Sequence, residues 1–447
     1  MQVCIRFALL AAESPGIFRL HRDNQLCCHA LARDRHLRYR ALAAAHPRRK
    51  RALGAGAKGV DVGAPTAAQI LILGGYGNTG RWLARLLLDH SDAQLLLAGR
   101  DGTKAAALAH QLDPQRCQGI ALDGGDGEAL TAALRRLAAQ GPALLIVAAS
   151  MGPQLETAVN SAFEAGVCGM DTLLSTAAKH AMLEKAAAAW QSKGLIWLTD
   201  GGFHPGLPAL LVRHAAKRLE AVHSAHVGSA ISIDWRPLAF SPSTRRELVD
   251  ELLAFDTRAL EAGEWRDMGW AKRPFDFAGP FGQRDGYAMF LHELEALPKM
   301  LPGLSNLGFY VGGFNPLTDN LGLPVAWMLA KLAPQALGGA ASRLLLASLR
   351  AGSRPPFGTV LRCEVDGLRE GHPARWLTLL GPADGYELTA APVAAAALQL
   401  LEGGEPGIHC QALWADPDRL IADLARMGIA VTSEAAAAPG ATALSAS

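Results

Sequence analysis

From residue 69 the chain alternates short apolar runs with longer helical stretches. Gln69–Gly74 (QILILG) is the kind of run that makes a buried parallel strand, and Arg81–His90 follows it as a helix. The alternation predicts strands at 94–98, 119–122, 143–149, 168–171 and 194–199. Helices are predicted at 103–111, 127–140, 153–165 and 177–192. This spacing predicts an α/β fold: a Rossmann-type doubly wound parallel sheet. After residue 220 the rhythm is lost and aromatic residues become frequent. Ile231–Trp235 and Thr359–Val365 read there as alternating strands of a second, α+β unit. Residues 389–428 return to helix–strand–helix. Leu321–Leu349 is strongly apolar but is broken by Lys331, Pro334 and Arg343. It reads as buried helix, with an interfacial helix as the alternative, and no membrane span is predicted.

Between the first strand and its helix lies Gly75-Tyr76-Gly77-Asn78-Thr79-Gly80. In strand–turn–helix context a GxGxxG run binds a dinucleotide. Gly75 is expected to make the tight turn, Gly77 to admit a pyrophosphate, and Gly80 to let helix and strand approach. The helix N-terminus offers N–H groups and a positive dipole end to the phosphates. Ligands of such sheets sit beyond the carboxyl ends of the strands. That gathers the glycine loop, Arg100, Asp123, Ala149, Ser150, Asp171 and Asp200–His204 around one crevice. The second strand ends Ala98-Gly99-Arg100, with no acid before the arginine. Arg100 can meet a 2′-phosphate with a planar fork, so the expected cofactor is NADP(H). NAD(H) is the alternative if Asp101 reaches a ribose. Asp123 is expected near the adenine, or else as a cap of the next helix.

Composition narrows the class. Residues 1–60 hold 12 basic and three acidic side chains, a net of +9, while the remainder carries a net of −7. The body has no basic excess for a nucleic-acid backbone, so no nucleic-acid partner is expected. The basic segment fits three readings: translated upstream sequence from a wrong start, a transit peptide, or a nucleic-acid arm. Arg6 interrupts its apolar start, against a secretory signal. Seven cysteines without a CxxC suit a reducing, cytoplasmic setting and argue against a disulfide framework or a zinc site. No lysine lies four positions after any tyrosine, which excludes short-chain reductase chemistry. There is no GxSxG elbow. No metal is expected.

These segments resemble the saccharopine dehydrogenase family in its NADP-binding, reductase-like branch. The resemblance is carried by Gly74–Gly80, Leu97–Arg100, Ala165-Gly166-Val167 with Met170-Asp171-Thr172, and Asp200–Pro208. Gly385–Ala390, Gly403-Gly404 and the stretch from Asp416 to Ile429 add to it. It covers roughly residues 67–432. It implies a Rossmann domain at 67–219, an α+β substrate and dimerisation domain at 220–384, and a segment at 385–432 that packs back on the first. Residues 1–66 are a basic extension and 433–447 are expected to be disordered. The implied activity is NADP(H)-dependent hydride transfer to or from a C=N or C=C carbon of a small metabolite in a homodimer. The alternatives are a trans-acting enoyl reductase and a non-catalytic NADP-binding regulator. An amino-acid-derived substrate would need cations for its carboxylates, with Arg236, Arg245, Arg246, Arg273 and Arg284 as candidates. Asp171 and His204 are the candidate catalytic residues, His204 because histidine titrates near neutrality. The plainer readings are a helix cap for Asp171 and a turn-former for His204.

Overall fold

The computed structural model describes residues 67–238, 256–312 and 314–437. The basic extension 1–66, Arg245, Arg246 and residues 438–447 lie outside them.

The first layer is a seven-stranded, all-parallel sheet. It contains β1 (Gln69–Leu73), β2 (Gln94–Gly99), β3 (Cys117–Ala121), β4 (Ala143–Val147), β5 (Cys168–Asp171) and β6 (Ile196–Thr199). The order is β3-β2-β1-β4-β5-β6, with one more strand beyond β6. The strand order reverses between β1 and β4, and the crevice opens there. β1 is buried at every position, as a strand covered by helices on both faces must be. Helix α1 (Asn78–His90) turns Leu83, Ala84, Leu87 and Leu88 inward, and it ends where Ser91 Oγ donates to the Leu87 carbonyl. Helices α2 (Gly102–Leu112), α3 (Gly127–Ala138), α4 (Leu155–Ala165) and α5 (Ala177–Ser192) alternate with the strands. Asp101, Asp126 and Thr176 cap α2, α3 and α5 with side-chain oxygens.

Helix α6 (Pro208–Ala216) leads into a mixed second sheet. Its strands are β7 (Ala221–Ser232), β8 (Arg258–Glu261), β9 (Glu264–Asp267), β10 (Lys272–Asp276), β11 (Gln283–Ala288), β12 (Asn306–Gly312), β13 (Gly358–Arg369) and β14 (His372–Ala383). β7 ends at Ser232, so Trp235 belongs not to a strand but to a small core under a helical hairpin, α7 (Leu323–Leu332) and α8 (Pro334–Ala351). Pro334 separates the two helices. The apolar stretch they span is not wholly buried as expected, since Leu321, Met328 and Leu332 are exposed.

The return segment does two things. Helix α9 (Gly385–Leu401) packs on α1 with Leu388, Val393, Ala396 and Leu400 buried, and β15 (Gly407–Cys410) joins the first sheet as a parallel neighbour of β6. Helix α10 (Pro417–Arg426) then leads to β16 (Val431–Ala437), which pairs antiparallel with β14 of the second sheet. Residues 433–437, expected from their composition to belong to a disordered tail, are therefore strand. Backbone pairing along β14 overrides the weak strand preference of their alanines. One continuous core joins the first sheet, α6, α9 and the inner face of the second sheet.

Candidate active site

The loops at the carboxyl ends of the strands touch one another, and glycines make the contacts. A Cβ on Gly80 would lie 2.2 Å from the Gly74 carbonyl oxygen, so α1 and the end of β1 approach as only glycine allows. The positive φ of the turn, +79°, falls at Gly74 rather than at Gly75, where it was expected. Gly75 instead abuts Leu97 of β2. A Cβ on Gly74 would meet the Ala149 backbone nitrogen at 2.8 Å, which brings Ala149 beside the loop, with Ser150 exposed next to it. Gly77 stands at the N-cap of α1 without a side-chain cap, and the first turn holds no acid. That is a cradle for an anion, and the residues fit the pyrophosphate of a dinucleotide. Asn78 and Thr79 open α1 at the same place.

The Tyr76 ring lies against Gly99, and its hydroxyl accepts from the Asp101 backbone N–H at 3.2 Å. The tyrosine thus fixes the glycine loop to the end of β2. Arg100 is exposed there. Asp101 points into its own helix, accepting from Lys104 N and pairing with Lys104 Nζ, so it is occupied as a cap. Asp123 is exposed and accepts from Gly125 N at 3.0 Å, which gives it a loop-capping geometry.

At the ends of β5 and β6 lies a buried polar network. Asp171, fully buried, receives Lys179 Nζ at 3.1 Å, Trp197 Nε1 at 3.0 Å and the Leu173 backbone N–H at 3.1 Å. Lys179 also reaches Asp200 Oδ1 at 2.6 Å and donates to the Leu173 carbonyl at 2.9 Å. The other Asp200 oxygen faces His180 Nε2 at 3.0 Å and accepts from Ser175 Oγ at 2.9 Å; the serine hydroxyl is itself 2.9 Å from His180 Nε2. Burial alone would lower the Lys179 pKa, but Asp171 and Asp200 outweigh it and raise it. Burial would likewise raise Asp200, yet Lys179 and His180 hold its carboxyl well below the usual range. The Lys179 ammonium and the Asp200 carboxylate therefore remain charged inside the protein by pairing. Cys410, brought in by β15, has its Sγ 3.9 Å from Asp200 Oδ2. His180, Asp200 and Cys410 place three ligand-type atoms within 4.8 Å, but the Lys179 ammonium already compensates that carboxylate.

The second unit completes the network. The His292 ring stacks on His180 with centroids 3.8 Å apart. Glu293, fully buried, accepts from Gly206 N at 2.7 Å and Ala209 N at 3.0 Å, which clasps the loop before α6. Burial raises its pKa to about 8, although both N–H groups and the nearby charges act on it as well.

Both candidate catalytic residues are buried. Asp171 has its carboxylate oxygens engaged by Lys179 and Trp197. His204 is buried with its ring edge-on to Phe203, centroids 3.9 Å apart, and near Phe309. Burial lowers its pKa to about 3. Among the arginine candidates, Arg236 pairs with Asp234 at 2.7 Å. Arg284 donates to the Phe281 carbonyl. Arg273 lies over Tyr310 and near Glu364, on the face of the second sheet opposite the one packed on α6. Lys179, His180 and Ser175 were missed because they read as the ordinary approach to a helix and its first turn. The adjacent Lys-His pair directly after a strand-end loop was the available signal.

A phosphate cradle at the switch point of a parallel sheet, with a buried ionic network two strands away, defines the class: an NADP(H)-binding oxidoreductase. Residues 70–198 match the saccharopine dehydrogenase NADP binding domain. Among solved structures it is similar to apo saccharopine dehydrogenase (L-Glu forming) from Saccharomyces cerevisiae. The identity is 16%, over 83% of this chain and 100% of that one, with a TM-score of 0.60, a likeness of fold. DAP dehydrogenase of C. glutamicum in complex with DAP is more distant, with 14% identity over 81% of this chain and 99% of that one and a TM-score of 0.43. No curated protein matches the sequence.

Proposed function

We propose that the protein transfers a hydride between NADP(H) and a C=N carbon of a small, amino-acid-derived metabolite, with His180 handling the accompanying proton. The observation that carries this reading is the Ser175–His180–Asp200–Lys179 network at the carboxyl ends of β5 and β6. Bound NADPH supplies the hydride, which adds to the carbon of the C=N bond, while the nitrogen takes a proton. His180 is built to give that proton. Its Nε2 is held by Ser175 and by a carboxylate that Lys179 keeps anionic, which fixes the ring in the network. Ser175 and His292 are the partly exposed members of the network and form its path outward. Asp171 orients Lys179. The resemblance to saccharopine dehydrogenase favours C=N over C=C chemistry.

The test is NADPH oxidation against a panel of oxo acids paired with amines. His180→Gln and Asp200→Asn should each lower turnover by about 10²- to 10⁴-fold, the usual worth of a positioned acid or base. NADPH affinity should hold, and His204→Gln should stay within a few-fold of the parent. NADPH binding without turnover of any pair would favour the non-catalytic regulator. Turnover of enoyl substrates alone would favour the C=C reading.

A further inference from the structure

The segment leading into α7, and α7 itself, carry an apolar stripe that the fold leaves outside. Leu317, Leu321, Met328 and Leu332 recur at helical spacing, with half-buried Val325 between them. They therefore lie along one face. Leu332 is 72% exposed and Leu321 55%. Trp270, also exposed, stacks edge-on against Trp327 of α7 and widens the apolar surface. The opposite side of the hairpin is already occupied, because Ala326, Ala330, Ala341 and Leu345 pack over Trp235. The stripe is thus a second apolar face, not the one that the core needs.

Charge identifies what it meets. Lys272 Nζ donates to Asn320 Oδ1 at one end of the stripe, and Lys331 lies over the Trp327 ring at the other. Residues 317–357 contain Lys331, Arg343, Arg350 and Arg354 against a single acid, Asp319. That acid is partly buried, and burial raises its pKa to about 7. A second copy of the chain is poorly suited to this face. A two-fold contact would bring the cations of this patch against those of the second copy, with Asp285 the exposed acid beside it. An apolar stripe flanked by cations and aromatic rings is instead the composition of a helix lying in a lipid interface.

We propose that this face docks the protein peripherally on an anionic lipid surface, with the stripe entering the headgroup boundary and Lys272 and Lys331 meeting the lipid charges. No helix among the described residues is long and apolar enough to cross a membrane, so the contact lies in the interface plane. The test is co-sedimentation of the full chain with phosphatidylcholine vesicles and with phosphatidylcholine–phosphatidylserine vesicles at about 0.1 M salt, where surface charges are still felt within roughly 10 Å. Binding is expected with the anionic vesicles, weakened at least several-fold by 0.5 M salt and by Lys331→Glu. The Met328→Glu/Leu332→Glu pair should lose it while keeping the parent circular dichroism and NADPH affinity. These side chains face solvent, so folding is not at stake. Absence of vesicle binding, or binding unchanged in the double variant, overturns the proposal. So does light scattering that shows a dimer dissolved by the double variant with no vesicle binding by the parent, since the occupant would then be a second copy.

Discussion

At the scale of single residues, Arg100 and Gly80 make the sharpest claims. Arg100 is exposed at the end of β2, where Tyr76 joins the glycine loop to that strand. A charge-assisted hydrogen bond is worth roughly 1.5–3 kcal/mol. Arg100→Ala should therefore weaken NADPH binding by about 10- to 100-fold and leave NADH unchanged in a fluorescence titration. Equal losses for both cofactors would mean that Arg100 reads no 2′-phosphate. Gly80→Ala would push a Cβ to 2.2 Å from the Gly74 carbonyl, a clash with backbone that no rotamer relieves. It should cost on the order of 1–3 kcal/mol of stability, with a marked loss of NADPH affinity. Chemical denaturation and titration of the same variant check both. The glycine loop was readable because its parts are contiguous and each has one steric reason. The ionic network was not. Lys179 meets Asp171 and Asp200 only once two strands lie side by side, and no local pattern records that meeting.

At the scale of elements, the clearest cross-link is Glu293. It comes from a short turn of the second unit and satisfies two N–H groups at the start of α6, a helix whose first residue is Pro208. Glu293→Ala strands those donors, at about 1–3 kcal/mol each. The midpoint of thermal unfolding should fall by a few degrees. The pH dependence follows from the raised pKa. Between the ordinary value of 4.5 and about 8, the folded chain keeps a proton that the unfolded chain has released. The stability from this group is therefore fully present at low pH and is lost as pH rises through that window. Urea melts from pH 5 to 8 should show a shallower decline in Glu293→Ala than in the parent. An identical slope would mean that Glu293 is ionised in the folded state. The strands and helices of the first sheet were legible within a few residues, since buried runs and capped helices declare themselves locally. The end of β7 and the strand β16 were not, because both depend on which neighbour offers a backbone edge.

At the scale of the whole molecule, the nucleotide-binding unit is assembled from both ends of the described chain. α9 covers α1, and β15 extends the sheet beyond β6. A fragment of residues 67–219 would expose the sites of Leu388, Val393 and Leu400, each a side chain whose burial is worth about 1.5–3 kcal/mol. The fragment should be soluble only as an ANS-binding, loosely packed state. Residues 67–437 should unfold in one calorimetric transition, and a separate early transition for the nucleotide unit would contradict this. The same topology has a consequence during synthesis. Some two hundred residues separate β6 from the strand that finally covers its open edge. At about 5–20 residues per second, the nascent chain leaves the ribosome with that edge bare for roughly 10–40 s. The uncovered edge of a strand buried at every position is a template for pairing with other chains. Production of this protein should therefore depend on chaperones that hold nascent chains, far more than the stability of the finished molecule would suggest.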